Sequence, residues 1–566
     1  MTQSAREDVI KQDVRDLHSL GYAQELFRSM GGFSNFAISF SIISILTGAV
    51  ILYDYGLAWA GTAASLIGWP LITVFVLCIA ASMAEIASAY PTAGGLYYWA
   101  SKMKNKNWGW WTAWLNLIGQ FAIVAGINYA AALFINATII TPLTGGAYSN
   151  TTVFFGDPAF GAEGPALSGA LVTMAVLLAV ELALNIAGVR VVALLNQISV
   201  WWHIFFVIVI AGALFILGTK STEVDAGLQL FAIQPVDTVA TWDNTFPVGS
   251  DNPWFSFAYG PAVTYPIALA FLFSLLQANW TYTGYDASAH VAEETIGARR
   301  ASAWGIFLSV AVSAVAGYIF LLAITTHLPD LTPLFPPVLE DAAVYSQYYF
   351  GDGAAVLYTL TENLGAGLGG VLGGAIAIAM AFCGLSSVAS AGRMLFAFSR
   401  DDGVPGSGWL KKVSHRYRTP ANALTVIVIG AFILTFLAFW VGRGIAVVIV
   451  TAVSTIFLYA AYGVPIYLGL VTDEWRQKQV WSLGRWSKPI AVISLIWIVV
   501  LMFLFSFPTS GNISWPFMVA IILFLLIYYF GWARSRFKGP QAQGREDELT
   551  EIEREFEDAA KGLSPA

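Results

Sequence analysis

Charge is what this sequence has least of. Asp, Glu, Lys and Arg make up 11% of its 566 residues, where water-soluble domains carry about a quarter. An ordinary soluble enzyme is therefore excluded. The net charge of -7 offers no basic surface for nucleic acid. Only two cysteines occur, Cys78 and Cys383, both inside apolar runs. They rule out a disulfide framework and read as small buried hydrophobes. The five histidines are scattered, and no Gly-x-Ser-x-Gly elbow, His-Glu-x-x-His pair or Walker lysine loop is present, so nothing supports a membrane-embedded enzyme. No repeated filter sequence or soluble sensor domain supports a channel or receptor. No metal and no cofactor are expected. Residues 1–30 alternate charges and lack an early apolar core, so no cleavable signal peptide is expected.

What the chain has is apolar length. Hydrophobic residues reach 57% and the mean hydropathy is +0.68. The 21 Trp, 23 Tyr and 38 Phe suit aromatic belts at two membrane interfaces. Runs long enough to cross a bilayer recur at 33–56, 62–88, 108–138, 165–187, 194–217, 263–292, 303–326, 366–399, 421–440, 445–470, 489–507 and 513–533. They are continuously apolar rather than alternating, which predicts twelve helices and no barrel. Twelve spans put both termini on one side, and 26 of the 28 Lys and Arg fall on that side. The termini are expected to be cytoplasmic, in the plasma (inner) membrane. Only Lys220 and Arg443 fall opposite. The chain divides into a cytoplasmic segment 1–30, a transport domain 31–535 and an acidic tail 536–566. In that tail, Leu549, Ile552, Phe556 and Ala560 recur at helical spacing. The long outer loop 218–262 carries Asp225, Asp237, Asp243 and Asp251 and reads as a solvated cap, or as an attractor of cations.

Two spans are interrupted. The first contains Gly31-Gly32-Phe33-Ser34-Asn35 and then Ser41-Ile42-Ile43-Ser44-Ile45-Leu46-Thr47-Gly48. The sixth contains Gln277-Ala278-Asn279-Trp280-Thr281-Tyr282-Thr283-Gly284-Tyr285-Asp286. Polar and small residues at membrane depth are costly unless they face protein or water. Small-residue helix packing explains either segment alone. Two breaks five spans apart point instead to an inverted-repeat transporter, with spans 1–5 and 6–10 as repeats and 11 and 12 peripheral.

Further stretches carry a family resemblance: Met83-Ala84-Glu85-Ile86-Ala87-Ser88-Ala89-Tyr90-Pro91-Thr92-Ala93-Gly94-Gly95-Leu96-Tyr97-Tyr98-Trp99, Asp286-Ala287-Ser288-Ala289-His290-Val291-Ala292-Glu293-Glu294-Thr295, and Ser390-Ala391-Gly392-Arg393-Met394 through Arg400-Asp401-Asp402-Gly403, closing with Thr419-Pro420. With the first span they resemble the amino acid–polyamine–organocation superfamily of transporters, and within it the amino acid/choline transporter family, which includes permeases for GABA and choline. The resemblance covers roughly residues 25–535. It implies an all-α membrane protein of the leucine-transporter type, with a 5+5 inverted repeat, broken helices 1 and 6, and alternating access. The cargo implied is an amino acid or small amine, GABA or another amino acid first, moved with a coupling proton. An exchanger and a choline or polyamine carrier are the alternatives. The residues leave oligomeric state open.

The resemblance also proposes a site. The amides of Thr47 and Gly48 would hold the carboxylate, as a half-helix N-terminus suits an anion. Carbonyls near Ser44, Trp280 and Thr283 would take the amino group, with Tyr282 in the same stretch and the Trp280 ring as a cover. Leu46 stands where relatives often have glycine. Gln120, and Asn116 one turn earlier, would present polar groups from span 3.

His203 lies about nine residues into span 5, near the midplane at 1.5 Å per residue. Proton-coupled relatives have a lysine there. A histidine can carry a proton across the physiological range, with Ile42 carbonyls or the hydroxyls of Ser386, Ser387 or Ser390 as expected partners. Asp286, midway through span 6, is expected to gate or to titrate with His203. Glu85, Glu293 and Glu294 beside Lys102, Arg299, Arg300 and Arg393 read as an inner gate of ion pairs. Glu181 and Asp54 read as interfacial.

Overall fold

The computed structural model describes residues 3–150, 152–155, 167–219, 230–231, 233, 267–329, 354–414, 416–442, 446–506 and 514–560. The outer-loop carboxylates Asp225, Asp237, Asp243 and Asp251, with Lys220 and Arg443, lie outside the described residues.

The helices run in chain order as α1 (Gln3–Ser19), α2 (Gly32–Ile43), α3 (Ile45–Ile51), α4 (Tyr53–Ala60), α5 (Trp69–Ala89), α6 (Gly95–Met103), α7 (Lys106–Ile135), α8 (Gly169–Ile186), α9 (Val189–Leu217), α10 (Ile267–Ser274), α11 (Leu276–Thr281), α12 (Ala287–His290), α13 (Ala298–Thr325), α14 (Ala354–Arg400), α15 (Ala421–Gly442), α16 (Ala446–Val471), α17 (Ser487–Ser506), α18 (Ser514–Tyr528) and α19 (Glu546–Ala560). A short antiparallel ribbon, Val153–Phe155 against Leu167–Ser168, leads into α8. Local chemistry sets several starts. The Asn105 side chain accepts from Asn107 and Trp108 N–H to cap α7, and Ser168 caps α8 through Leu171 N–H. The two Asp54 oxygens accept the first amides of α14, Ala354 at 2.9 Å and Ala355 at 3.1 Å. Asp54 is therefore buried rather than interfacial.

Among the described residues, eleven helices are long and apolar enough to cross a membrane. The expected sixth span, 263–292, is the exception. Its helix Ile267–Thr281 falls short of a span, because the chain turns at Tyr282 and resumes only as α12. The helix α14 also begins earlier than the expected 366, bending at Gly365.

Burial sorts the helices. The first span, Gly32–Ile51, is 94% buried over its apolar window and Val447–Val471 89%, against 22% for Trp515–Arg536. The first and tenth spans thus form the centre and the last lies at the edge. Outward-facing Trp201, Ile208, Phe503 and Ile527 are well exposed. In water such a surface would aggregate; in a bilayer it is the solvated face. The tail is helical as α19, with Leu549 and Phe556 buried against the body.

Candidate functional site

The first break is a single residue. Ser44 ends α2 and precedes α3 with φ 29° and ψ 87°, a left-handed setting that costs a non-glycine residue about 1–3 kcal/mol. Its carbonyl accepts from Thr47 N–H at 2.8 Å and Gly48 N–H at 3.0 Å. The two amides implicated by resemblance are thus turned onto Ser44 itself. The displaced Ile42 carbonyl accepts instead from the Cys383 thiol at 3.2 Å.

The second break spans Tyr282 to Asp286, between α11 and α12. Gly284 holds φ +90°, and a Cβ there would fall 2.2 Å from Ile42 Cγ2. A Cβ on Gly48 would fall 2.7 Å from the Thr281 Cα. Two glycines let the interrupted segments close up, Gly48 against the Thr281 main chain and Gly284 against the Ile42 side chain. Below them Ser39 Oγ donates to the Tyr285 carbonyl at 2.8 Å and accepts from Ser288 N–H at 2.9 Å. Asn35 Nδ2 donates to Ser288 O at 2.9 Å and Thr295 Oγ1 at 3.0 Å. The polar residues of span 1 are thereby spent on span 6, as the cost of burying them requires.

Between the breaks lies a cavity of about 170 Å³, lined by Ile42, Ile43, Thr47, Gly48, Ile123, Ile127, Trp280, Thr281 and Thr283. Its wall holds four aliphatic side chains, one indole and three threonines. No charged side chain lines it. Trp280 is fixed over it by Nε1–H donation to Ser454 Oγ at 2.9 Å.

Of the sequence-derived candidates, Thr47, Gly48, Trp280 and Thr283 line this cavity. Ser44 stands one residue behind the wall. Leu46 is buried away from it. Tyr282 is buried but turned away from the cavity, its OH 2.6 Å from Thr73 Oγ1 and its ring against Trp69. Asn116 and Gln120 point at Asp286 Oδ2, at 3.1 and 3.3 Å. Sequence reasoning missed Ile123 and Ile127. They continue the helical face of Asn116 and Gln120 at three and four residues, and that periodicity was the available signal.

His203 is fully buried beside the first break. Its Nδ1 lies 2.8 Å from the Ser199 carbonyl and its Nε2 2.7 Å from Ser44 Oγ. A carbonyl only accepts, so Nδ1 carries the hydrogen and Nε2 of the neutral ring accepts from Ser44. Ser44 Oγ is also 2.6 Å from Thr47 Oγ1. A hydroxyl relay therefore joins the cavity wall to His203. The expected hydroxyl partners lie elsewhere. Ser386 donates to Asn196 Oδ1 at 2.5 Å and Phe382 O at 2.8 Å, Ser387 donates to Cys383 O at 2.9 Å, and Ser390 Oγ has no partner among the described residues.

Asp286 does not meet His203. It takes Tyr462 OH at 2.8 Å on Oδ1, and on Oδ2 Asn116, Gln120 and His290 Nε2, the last at 3.2 Å. His290 Nδ1 faces the Ala93 carbonyl at 3.0 Å. Both His290 nitrogens thus face acceptors, and the ring stands as the direct partner of Asp286. His290 and Tyr462 were not singled out on the sequence; Tyr462 comes from α16, which only the fold brings here.

On the side carrying both termini the structure is shut. Glu293 forms a two-pronged pair with Arg400 (2.9 and 3.0 Å), and Glu294 with Arg393 (2.8 and 3.1 Å). All four are buried. Arg400, absent from the expected set of ion-pairing residues, is the partner of Glu293. Glu85 instead accepts from Leu483 N–H at 2.7 Å and Ser487 Oγ at 2.6 Å. Arg299 donates to the Ser88 carbonyl, and Lys102 lies over the Tyr98 ring. The termini cover this layer. Asp401 accepts from Tyr22 OH, Tyr97 OH and Gln541 N–H, and burial pushes its carboxyl up to about 6 against the pull of Arg400. Gln543 Oε1 accepts Ala23 N–H, and Glu553 accepts Gln24 N–H.

Comparison with known proteins places this geometry in context. Residues 30–527 match the model of a family described as amino acid permease. The chain is similar to amino-acid permease BAT1 of Arabidopsis thaliana, 32% identical over 93% of this chain and 95% of that protein. A BAT1 homolog of Oryza sativa subsp. japonica is 31% identical over 93% and 94%. A putative polyamine transporter of Candida albicans is 26% identical over 96% and 91%.

Proposed function

The chain belongs to the amino acid permease family, and from that premise we propose how it moves its cargo. It is a multi-pass membrane transporter of amino acids rather than an enzyme. In our reading the transport domain, residues 31–535, has twelve spans in the leucine-transporter arrangement, works by alternating access in the plasma (inner) membrane, and keeps segments 1–30 and 536–566 in the cytoplasm. The observation that carries this reading is the contact of two interrupted helices around the 170 Å³ cavity. Broken helices leave main-chain polar groups for a substrate at the repeat interface.

The cargo is a small amino acid or amine, GABA among the first to test. Its carboxylate lies at the Thr47 hydroxyl, and reaches the Thr47 and Gly48 amides only when they release the Ser44 carbonyl that holds them here. Its amino group lies at the Trp280–Thr283 turn, beside the Trp280 ring. The Candida relative is named for polyamines, but a long polycation calls for carboxylates, and none lines this cavity. Transport is coupled to a proton that reaches His203 through Thr47 and Ser44. The closed Glu293–Arg400 and Glu294–Arg393 pairs form the inner gate.

Purified protein in proteoliposomes tests this. A thermal-shift screen of amino acids, GABA, choline and polyamines identifies a ligand, since binding only the folded state stabilises it. Counterflow of that ligand, stimulated from the opposite side, is expected of a carrier. Accumulation driven by a proton gradient and lost in His203→Ala supports the coupling route. Undiminished accumulation in His203→Ala removes His203 from it.

A further inference from the structure

Glu181 on α8 is 2% exposed, not interfacial, and neither of its carboxylate oxygens has a hydrogen-bond partner among the described residues. Asn128 of α7 also ends in an unpartnered oxygen, Oδ1, while its Nδ2 donates to the Val124 carbonyl at 3.0 Å. The two crowd one point. A Cβ on Gly384 of α14 would sit 2.2 Å from Glu181 Oε1 and 2.7 Å from Asn128 Oδ1. Three acceptor oxygens thus gather, and the one donor group beside them, Asn128 Nδ2, is engaged with Val124 O and makes no hydrogen bond of good geometry to Glu181. Rotating Asn128 does not help, because its Oδ1 would then face the Val124 carbonyl. An unpaired charge in this interior is prohibitive. One hydrogen on Glu181 resolves the cluster, since a neutral carboxyl is both donor and acceptor and can give its hydrogen to Asn128 Oδ1.

The surroundings supply no counter-charge. The helix α15 has no charged residue from Ala421 to Gly442. Lys106 is the first residue of α7, at the far end from Asn128. On α14 the titratable neighbour is the Cys383 thiol; Arg393 and Arg400 lie nine or more residues along the helix, and Glu362 lies toward its other end. On α9, Arg190 rests over the Phe27 ring and His203 is held between Ser199 and Ser44. The cluster is nonetheless beside the transport path. Cys383, next to Gly384, donates to the carbonyl of Ile42, a cavity-lining residue.

We propose that Glu181, with Asn128 Oδ1 as its acceptor, is a proton-binding site of the transport cycle, loaded in this conformation. The proposal rests on the proton-coupled reading and deepens it. His203 has both ring nitrogens served and Asp286 has four donors, so neither shows the missing hydrogen that Glu181 does. A bound sodium ion is the competing occupant, but two residues supply few of the six or more oxygens hard cations take.

Infrared difference spectra of the purified full-length protein, recorded as pH is varied, read the carboxyl directly. A protonated-carboxyl band at neutral pH is expected in wild type, lost in Glu181→Gln, kept in Asp286→Asn and shifted upward in Asn128→Leu. A spectrum unchanged by Glu181→Gln overturns the proposal. Proteoliposomes are then given a radiolabelled mixture of the protein amino acids and GABA. Glu181→Gln, which keeps a donor for Asn128, is expected to retain counterflow and lose accumulation under a proton gradient. Accumulation equal to wild type, or accumulation driven by a sodium gradient, also overturns it. Wild type that exchanges label but never accumulates under a proton gradient defeats the proton-coupled reading itself, while the infrared band still decides whether Glu181 holds a proton.

Discussion

Gly284 and Ile42 meet so closely that a Cβ on the glycine would lie 2.2 Å from Ile42 Cγ2. This contact joins the second break to the first. Gly284→Ala also demands a left-handed backbone from a chiral residue, worth about 1–2 kcal/mol by itself. Thermal unfolding in detergent is expected to fall and uptake to be lost. Gly212→Ala, with open space around its Cβ, is the control that leaves both intact.

Ile127 belongs to the cavity wall. A phenylalanine there fills volume the cargo needs, and overpacking costs about 1–3 kcal/mol. Ligand binding in Ile127→Phe is expected to weaken by about tenfold or more, read as a raised half-saturation in counterflow. Unchanged affinity would show that the cargo sits elsewhere.

Glu293 and Arg400 are both buried and hydrogen-bonded twice to each other. Arg400→Ala leaves a carboxylate uncompensated, a loss of about 3–5 kcal/mol. Glu293→Gln combined with Arg400→Met is expected to recover much of it. Melting temperatures of the single and double variants check this: no recovery in the double variant would contradict a simple charge-pair account.

Asp401 titrates near 6 in the fold against an ordinary 3.8. Between those values the folded state holds more proton than the unfolded one, so stability from this group is greatest below about 4. It declines as pH rises toward 6 and is flat above. The difference in melting temperature between wild type and Asp401→Asn is expected to move against wild type over that window. A pH-independent difference would contradict the assignment.

Much was legible in the sequence because a bilayer imposes its demands locally. A run such as Val189 to Leu217 is read as a helix from length and apolarity alone, and the structure has it. The interruptions near Ser44 and Gly284 were legible too, since a polar or glycine residue in such a run has a cost that something repays. Thr47, Gly48, Trp280 and Thr283 came from the family resemblance, which placed a site at those breaks.

Partner choice was not legible. Nothing local distinguishes Ser386 from Ser44 as a neighbour for His203, or His203 from His290 as the partner of Asp286. Those pairings depend on which faces of α9, α12, α14 and α16 turn inward, and helix rotation is set by packing among residues hundreds of positions apart. Glu181 illustrates the same limit: a carboxylate near a helix end reads as interfacial until neighbouring helices are seen to close over it. Composition and periodicity thus determined that the chain is membrane-embedded, helical and twice interrupted. Tertiary packing alone decided which buried donors meet which acceptors, because a hydrogen bond is made between surfaces and not along a sequence.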